Sequence, residues 1–259
     1  MLGIHIRSDE GGLGPSLIAA TQKWTCAQIC THGPRNTREN NFDKKLVKRA
    51  AKKMPVYSHS TFLTQLSREN WPRKHIKDQL ETCKMLGLKG LVIHLPRELP
   101  ETIGRIMSIL NDKDMPIILE MPSGEPDDRT YETPEKLNAL IAAIPCNVNY
   151  GICIDTSHVW AGGEDMKYYN DVKQWLDRIV DKDKIVMFHL NGTTVPLGGH
   201  RDVHSVPFSQ DDLIWGDVKY PNSGFRAVAE FAKKYGAVTI MEVKGNTDYP
   251  RSVFQQCKK

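Results

Sequence analysis

Apolar runs of four to six residues alternate along this chain with stretches whose hydrophobic positions recur at helical spacing, which is the pattern of repeated βα units. Strands are expected at Leu2–Ile6, Cys26–Cys30, Val56–Ser58, Leu91–His94, Ile117–Glu120, Gly151–Asp155, Ile185–Leu190 and Val238–Glu242. Helices are expected between them. One lies near Ser16–Lys23, and a second begins at about Asp43 with Leu46, Val47, Ala50 and Ala51 on its apolar face. A third carries Ile76, Leu80 and Cys83 and stops at Gly87, a residue suited to ending a helix. A fourth is striped by Ile103, Ile106, Met107 and Leu110. Thr133 and Pro134 are N-cap and first-turn residues for a fifth, which places Leu137, Leu140, Ile141 and Ile144 on one face. Val172, Trp175, Leu176 and Ile179 mark a sixth, and Phe225, Val228, Ala229 and Ala232 a seventh, after a long loop from Asn191 to about Asn222. A last, short and weakly patterned helix follows Asn246.

Eight strands each followed by helical sequence predict an α/β fold, a single (β/α)8 TIM barrel spanning residues 1–259 without an internal linker. In such barrels catalytic groups sit where strands exit at the C-terminal face, so the residue type at each exit is informative. The sixth strand shows this most clearly: Gly151-Ile-Cys-Ile ends in Asp155, and His158 follows three residues later. The other exits supply His59, His94, Glu120, His189 and Glu242, while the loop after the seventh strand adds Asp202 and His204, spaced so that both face one side of an extended segment. One such residue is ordinarily a rim residue satisfied by hydrogen bonds. A whole rim of them is costly without a shared partner such as a metal. Five of the nine histidines are in the set; His5, His32, His75 and His200 are left as rim, loop or surface residues.

Histidine and carboxylate ligands without thiolate suit Zn²⁺ or another divalent first-row ion, and nine donors exceed the needs of one. Two ions bridged by a carboxylate such as Glu120 suit phosphodiester hydrolysis. The net charge of +4 permits a polyanionic partner but does not demand one. Lys44, Lys45, Lys48, Arg49, Lys52 and Lys53 supply much of the positive charge, and their spacing reads as the solvated face of the second helix rather than a DNA track. The six cysteines form no Cys-x-x-Cys pair and read as reduced thiols. With no signal sequence or spanning apolar run, the expected location is intracellular, cytoplasmic or nuclear.

His59-Ser-Thr-Phe-Leu63, Val92-Ile-His94, Leu119-Glu120, Cys153-Ile-Asp155-Thr-Ser-His158, His189-Leu-Asn191, Arg201-Asp202-Val-His204 and Met241-Glu242 resemble, in order, the metal-site motifs of the endonuclease IV family of apurinic/apyrimidinic (AP) endonucleases. The resemblance implies three zinc ions, with Mn²⁺ as a substitute. The first would take His59, His94 and Glu120, the second Glu120, Asp155, His189 and Glu242, and the third His158, Asp202 and His204. It also implies Glu120 and Glu242 as catalytic residues and a monomer acting on duplex DNA. The reaction would be incision on the 5′ side of an abasic site, with 3′-phosphodiesterase activity besides. Lesion extrusion calls for wedge residues, matched here by Phe62 and Leu63, with Arg35 as a further DNA contact. Departures from the family pattern include Leu95-Pro96 after His94, Met121-Pro-Ser-Gly after Glu120, Val203 between Asp202 and His204, and Gly192 after Asn191. A one-metal sugar isomerase or epimerase would use Glu120, Asp155, His189 and Glu242 alone, leaving the other five donors unexplained. A binder of abasic DNA without activity would have no need of the full ligand set.

Overall fold

A computed structural model describes residues 1–7, 12–33, 38–61, 73–95, 98–123 and 131–257. Its centre is a closed barrel of eight parallel strands in sequential order, with the first paired to the last. The strands are β1 (Leu2–Ile6), β2 (Cys26–Ile29), β3 (Val56–His59), β4 (Leu91–His94), β5 (Ile117–Glu120), β6 (Tyr150–Asp155), β7 (Ile185–His189) and β8 (Val238–Met241). Helices α1 (Leu13–Ala20), α2 (Lys44–Ala51), α3 (Arg73–Leu86), α4 (Pro100–Leu110), α5 (Pro134–Ala143), α6 (Thr156–Ala161), α7 (Tyr169–Asp177), α8 (Gly224–Tyr235) and α9 (Asp248–Gln256) complete the described elements, with 3-10 turns at Lys182–Lys184 and Tyr220–Asn222.

Local sequence explains the boundaries. Asp43 caps α2 by accepting from the backbone N–H groups of Lys45 and Leu46 at 2.8 and 3.1 Å, and Thr133 caps α5 through Lys136 N–H. After α3, Gly87 takes φ of +75°, and the Leu88 N–H reaches back to the Cys83 carbonyl at 2.9 Å, closing the helix. Strand ends differ from expectation by at most one residue, and two helices differ by more. Helix α1 begins at Leu13, ahead of the expected Ser16, because Pro15 falls in its first turn, where a missing N–H costs nothing. Helix α6 is an addition: its six residues are too short to carry a helical period, and it starts because Asp155 caps it.

Strand side chains alternate between two layers. Leu91 and Ile93, Ile117 and Leu119, Ile152 and Ile154, and Phe188 face outward into one apolar layer shared with the helices. Cys26, Val92, Ile118, Cys153, Met187, Val238 and Ile240 pack together inside the barrel. Two residues further along the same strands, the inward position reaches the C-terminal mouth. Alternation of period two therefore carries each strand from an apolar plug to the rim, and puts Gln28, His94, Glu120, Asp155, His189 and Glu242 above that plug. Among the described residues no helix is long and apolar enough to cross a membrane.

Candidate metal centre

The nine rim donors named from the sequence converge at this mouth. Three overlapping sets have donor atoms within 4.8 Å of one another: His59, His94 and Glu120; Glu120, Asp155, His189 and Glu242; and Asp155, His158 and His204. Asp202 joins the third set, since its Oδ1 lies 3.2 Å from His158 Nε2 and 3.1 Å from His204 Nε2. The third set thus holds Asp155 as a neighbour in addition to the three residues expected. Arg35, Phe62 and Leu63 lie outside the described residues.

Glu120 is fully buried and divides its two oxygens. Oε2 lies 2.8 Å from His59 Nε2 and 3.0 Å from His94 Nε2, whereas Oε1 lies 2.8 Å from His189 Nδ1. Burial opposes its ionisation, yet the surrounding His94 and His189 hold its carboxyl well below the usual carboxylate range. Burial likewise opposes charge on His59, but Glu120 outweighs it and lifts the imidazole to about 10. His158 and His189 are raised in the same way, against burial, chiefly by Asp155 and by Glu242 respectively. For Asp202, the close approach of the His158 and His204 imidazoles outweighs burial and depresses the carboxyl.

Backbone contacts orient the rings. His59 Nδ1 donates to the Ser60 carbonyl at 2.9 Å and His158 Nδ1 to the Met121 carbonyl at 2.8 Å, so each turns Nε2, the nitrogen that can give up its proton to a cation, toward the carboxylates. Asp155 is held twice: Oδ1 accepts from the Ser157 and His158 N–H groups at 2.7 and 3.2 Å, and Oδ2 from Asn191 Nδ2 at 2.8 Å. The same Asn191 accepts from Glu242 N–H at 2.8 Å, tying the exits of β6, β7 and β8 together.

The loop after β7 is organised by Asp212, a buried carboxylate that accepts from the N–H groups of Thr193, Ile214 and Phe208. A Cβ at Gly192 would lie 2.5 Å from the Asp212 carboxyl carbon, which accounts for glycine after Asn191. Gly192 and Ser205 exchange backbone hydrogen bonds at 3.0 and 2.9 Å. That bridge presents Asp202 and His204 toward the rim.

These donors suit cations. His158 Nε2 and His204 Nε2 are buried without a well-aligned hydrogen-bond partner, and both face Asp202 Oδ1. Glu120 and Asp155 are carboxylates with no exposure at all. Buried anions and imidazole nitrogens left without a hydrogen-bond partner are both satisfied by a divalent ion.

Two rim residues escaped the sequence reading. His5 Nδ1 lies 3.3 Å from Glu242 Oε1, and buried Gln28 contacts both Glu242 and His189. The period-two rule applied to β1 and β2 puts them at the mouth, but not beside Glu242 and His189.

The chain matches the family model described as a xylose isomerase-like TIM barrel over residues 18–222. It is 32% identical over 232 residues to a probable AP endonuclease of African swine fever virus, covering 83% of this chain and 78% of that protein. A probable endonuclease 4 of Nitrosopumilus maritimus is 26% identical over 284 residues, covering 100% and 98%. Among solved structures, AsfvAP:AG superposes with a TM-score of 0.86 at 26% identity, covering 99% of this chain and 96% of that one.

Proposed function

Because the chain belongs to the xylose isomerase-like TIM-barrel family and, within it, to the AP endonucleases, we propose that it is a zinc-dependent AP endonuclease of base excision repair. It hydrolyses the phosphodiester 5′ to abasic sites in duplex DNA, leaving a 3′-hydroxyl and a 5′-deoxyribose phosphate, and it has 3′-phosphodiesterase activity. The observation that carries this reading is the surplus of donors. Four would serve one ion, but eight converge in three sets with Asp202 beside the third, and Glu120 and Asp155 each belong to two sets.

His59, His94 and Glu120 would hold one ion, Glu120, Asp155, His189 and Glu242 a second, and His158, Asp202 and His204 a third. Bound Zn²⁺, or Mn²⁺ in its place, supplies Lewis-acid stabilisation of phosphoryl oxygens and activation of water. The protein supplies the rest. Glu120 turns one oxygen to each of two donor sets, so it would be shared by the two ions, and Glu242 would close the second set from the exit of β8. In this reading both carboxylates would hold the ions and serve as the catalytic residues. The Ser60 and Met121 carbonyls fix the protons of His59 and His158 on Nδ1, away from the centre. In this reading the chain acts as a monomer. Arg35, Phe62 and Leu63 are the DNA contacts of this reading.

The test is incubation of purified protein with a duplex holding one abasic-site analogue, with and without EDTA. Incision on the 5′ side that EDTA abolishes is the expected result. No incision, with one ion per chain and ketose interconversion, would replace this reading by an isomerase; no incision with three ions and tight binding of the abasic duplex would replace it by a binder.

A further inference from the structure

Gln28 occupies the inward, mouth-facing position of β2 and is fully buried. It touches three rim residues. Its Nε2 lies 2.5 Å from Glu242 Oε1 and 2.9 Å from His5 Nδ1, and its Oε1 lies 3.0 Å from His189 Nε2. A carboxylate oxygen only accepts, so the amide group facing Glu242 is the NH2. The carbonyl oxygen then faces His189, whose Nε2 must carry a proton to donate to it. A neutral imidazole protonated at Nε2, the form that binds a cation, has its lone pair on Nδ1.

That lone pair points where a ligand is needed. His189 Nδ1 lies 2.8 Å from Glu120 Oε1, 3.2 Å from Glu242 Oε2 and 3.7 Å from Asp155 Oδ2. His59 and His158 are the reverse case, since backbone carbonyls take their Nδ1 protons and Nε2 faces the centre. His189 presents the opposite nitrogen because a side chain, rather than a backbone carbonyl, takes its proton. Gln28 also occupies Glu242 Oε1, which leaves Oε2 on the His189 side.

We infer that Gln28 is a positioning residue for the second cation set: it fixes His189 as the Nε2–H tautomer and turns Glu242 Oε2 inward, so that Glu120, Asp155, His189 and Glu242 receive a divalent ion through Nδ1. This rests on the metal reading proposed above. An amide suits the position because it donates to an anion and accepts from an N–H at once. Glutamate would keep the acceptor but set an anion against Glu242, and leucine would keep neither.

The test uses the full chain loaded with Zn²⁺. Long-range ¹H–¹⁵N correlation of the wild-type histidines should show one zinc-bound imidazole protonated on Nε2 among others protonated on Nδ1, with its identity assigned by loss of that signal in His189→Asn. If His189 carries its proton on Nδ1, the inference is overturned. Gln28→Leu and Gln28→Glu should each weaken the binding of one ion, by about 10- to 100-fold, leaving the other sets filled. The Glu variant should retain the Nε2–H signal of His189, whereas the Leu variant should lose it. A Leu variant with wild-type zinc affinity and an unchanged His189 signal overturns the role of Gln28 while the metal reading stands. A wild-type chain that takes up no divalent cation overturns both. The wild-type spectrum needs no substitution, so the tautomer decides the matter even if the Leu variant does not fold.

Discussion

Replacing Asn191 by leucine removes, without changing the volume much, the residue that joins three strand exits. Asn191 is wholly buried; its Nδ2 donates to Asp155 Oδ2 at 2.8 Å and its Oδ1 accepts from Glu242 N–H at 2.8 Å. The first bond has a charged acceptor, of a kind that contributes roughly 1.5–3 kcal/mol, and its loss takes a donor from a buried anion. Loss of the second strands a backbone N–H, at roughly 1–3 kcal/mol. Set against about 1 kcal/mol gained by burying an apolar side chain instead of an amide, the net cost is on the order of 3 kcal/mol. Urea unfolding in the presence of EDTA isolates this from any metal contribution. With a slope near 3 kcal/mol/M, the midpoint should fall by about 1 M. Asn191→Asp, which keeps the acceptor for Glu242 N–H but sets a carboxylate against Asp155, should recover part of the loss at low pH and less at neutral pH. A Leu variant whose midpoint lies within about 0.2 M of the wild type would refute the reasoning.

Further outcomes follow from the same site. In the metal-free chain His59 is raised from 6.5 to about 10, so its pairing with Glu120 stabilises the fold fully below about pH 6.5 and is lost as pH rises toward 10. Metal ligation requires the deprotonated ring and runs the other way. The difference in Tm between Zn²⁺-loaded and EDTA-treated protein should therefore widen from pH 6 to pH 9, with proton release on zinc addition measured at lower pH; a difference independent of pH would contradict this. Asp212→Ala should strand the N–H groups of Thr193, Phe208 and Ile214, costing roughly 3 kcal/mol. It should also lower zinc content by one ion, with hydrogen exchange rising between residues 192 and 214; unchanged exchange there would refute it. Gly104→Ala should destabilise the α4–α5 contact by about 1–3 kcal/mol, because the added Cβ would lie 2.2 Å from the Ala143 carbonyl oxygen; unaltered thermal unfolding would count against that packing.

Much of this was legible in the sequence because β4 to β7 end on their rim donor: His94, Glu120, Asp155 and His189 are the last inward positions of their strands. The apolar residue two places earlier, such as Ile118 before Glu120, fixes the face. What escaped depended on long-range contact. His5 and Gln28 stand on strands whose outward residues are ordinary and whose polar inward residues acquire meaning only when β8 closes against β1 and brings Glu242 alongside. Helix α6 was hidden because a capping carboxylate and six residues leave no periodic trace, so Asp155 read as a strand tip alone. The loop after β7 looked structureless, since a single buried carboxylate at Asp212, rather than a hydrophobic pattern, holds it.

Anomalous X-ray scattering from crystals of the chain, recorded just above and just below the zinc absorption edge, addresses the metal centre itself. The account predicts three peaks at the barrel mouth, flanked in turn by Glu120 with His59 and His94, by His189 with Glu242, and by His158 with His204. A map with no peak among these side chains, or with one peak confined to the His189 and Glu242 set, would contradict it.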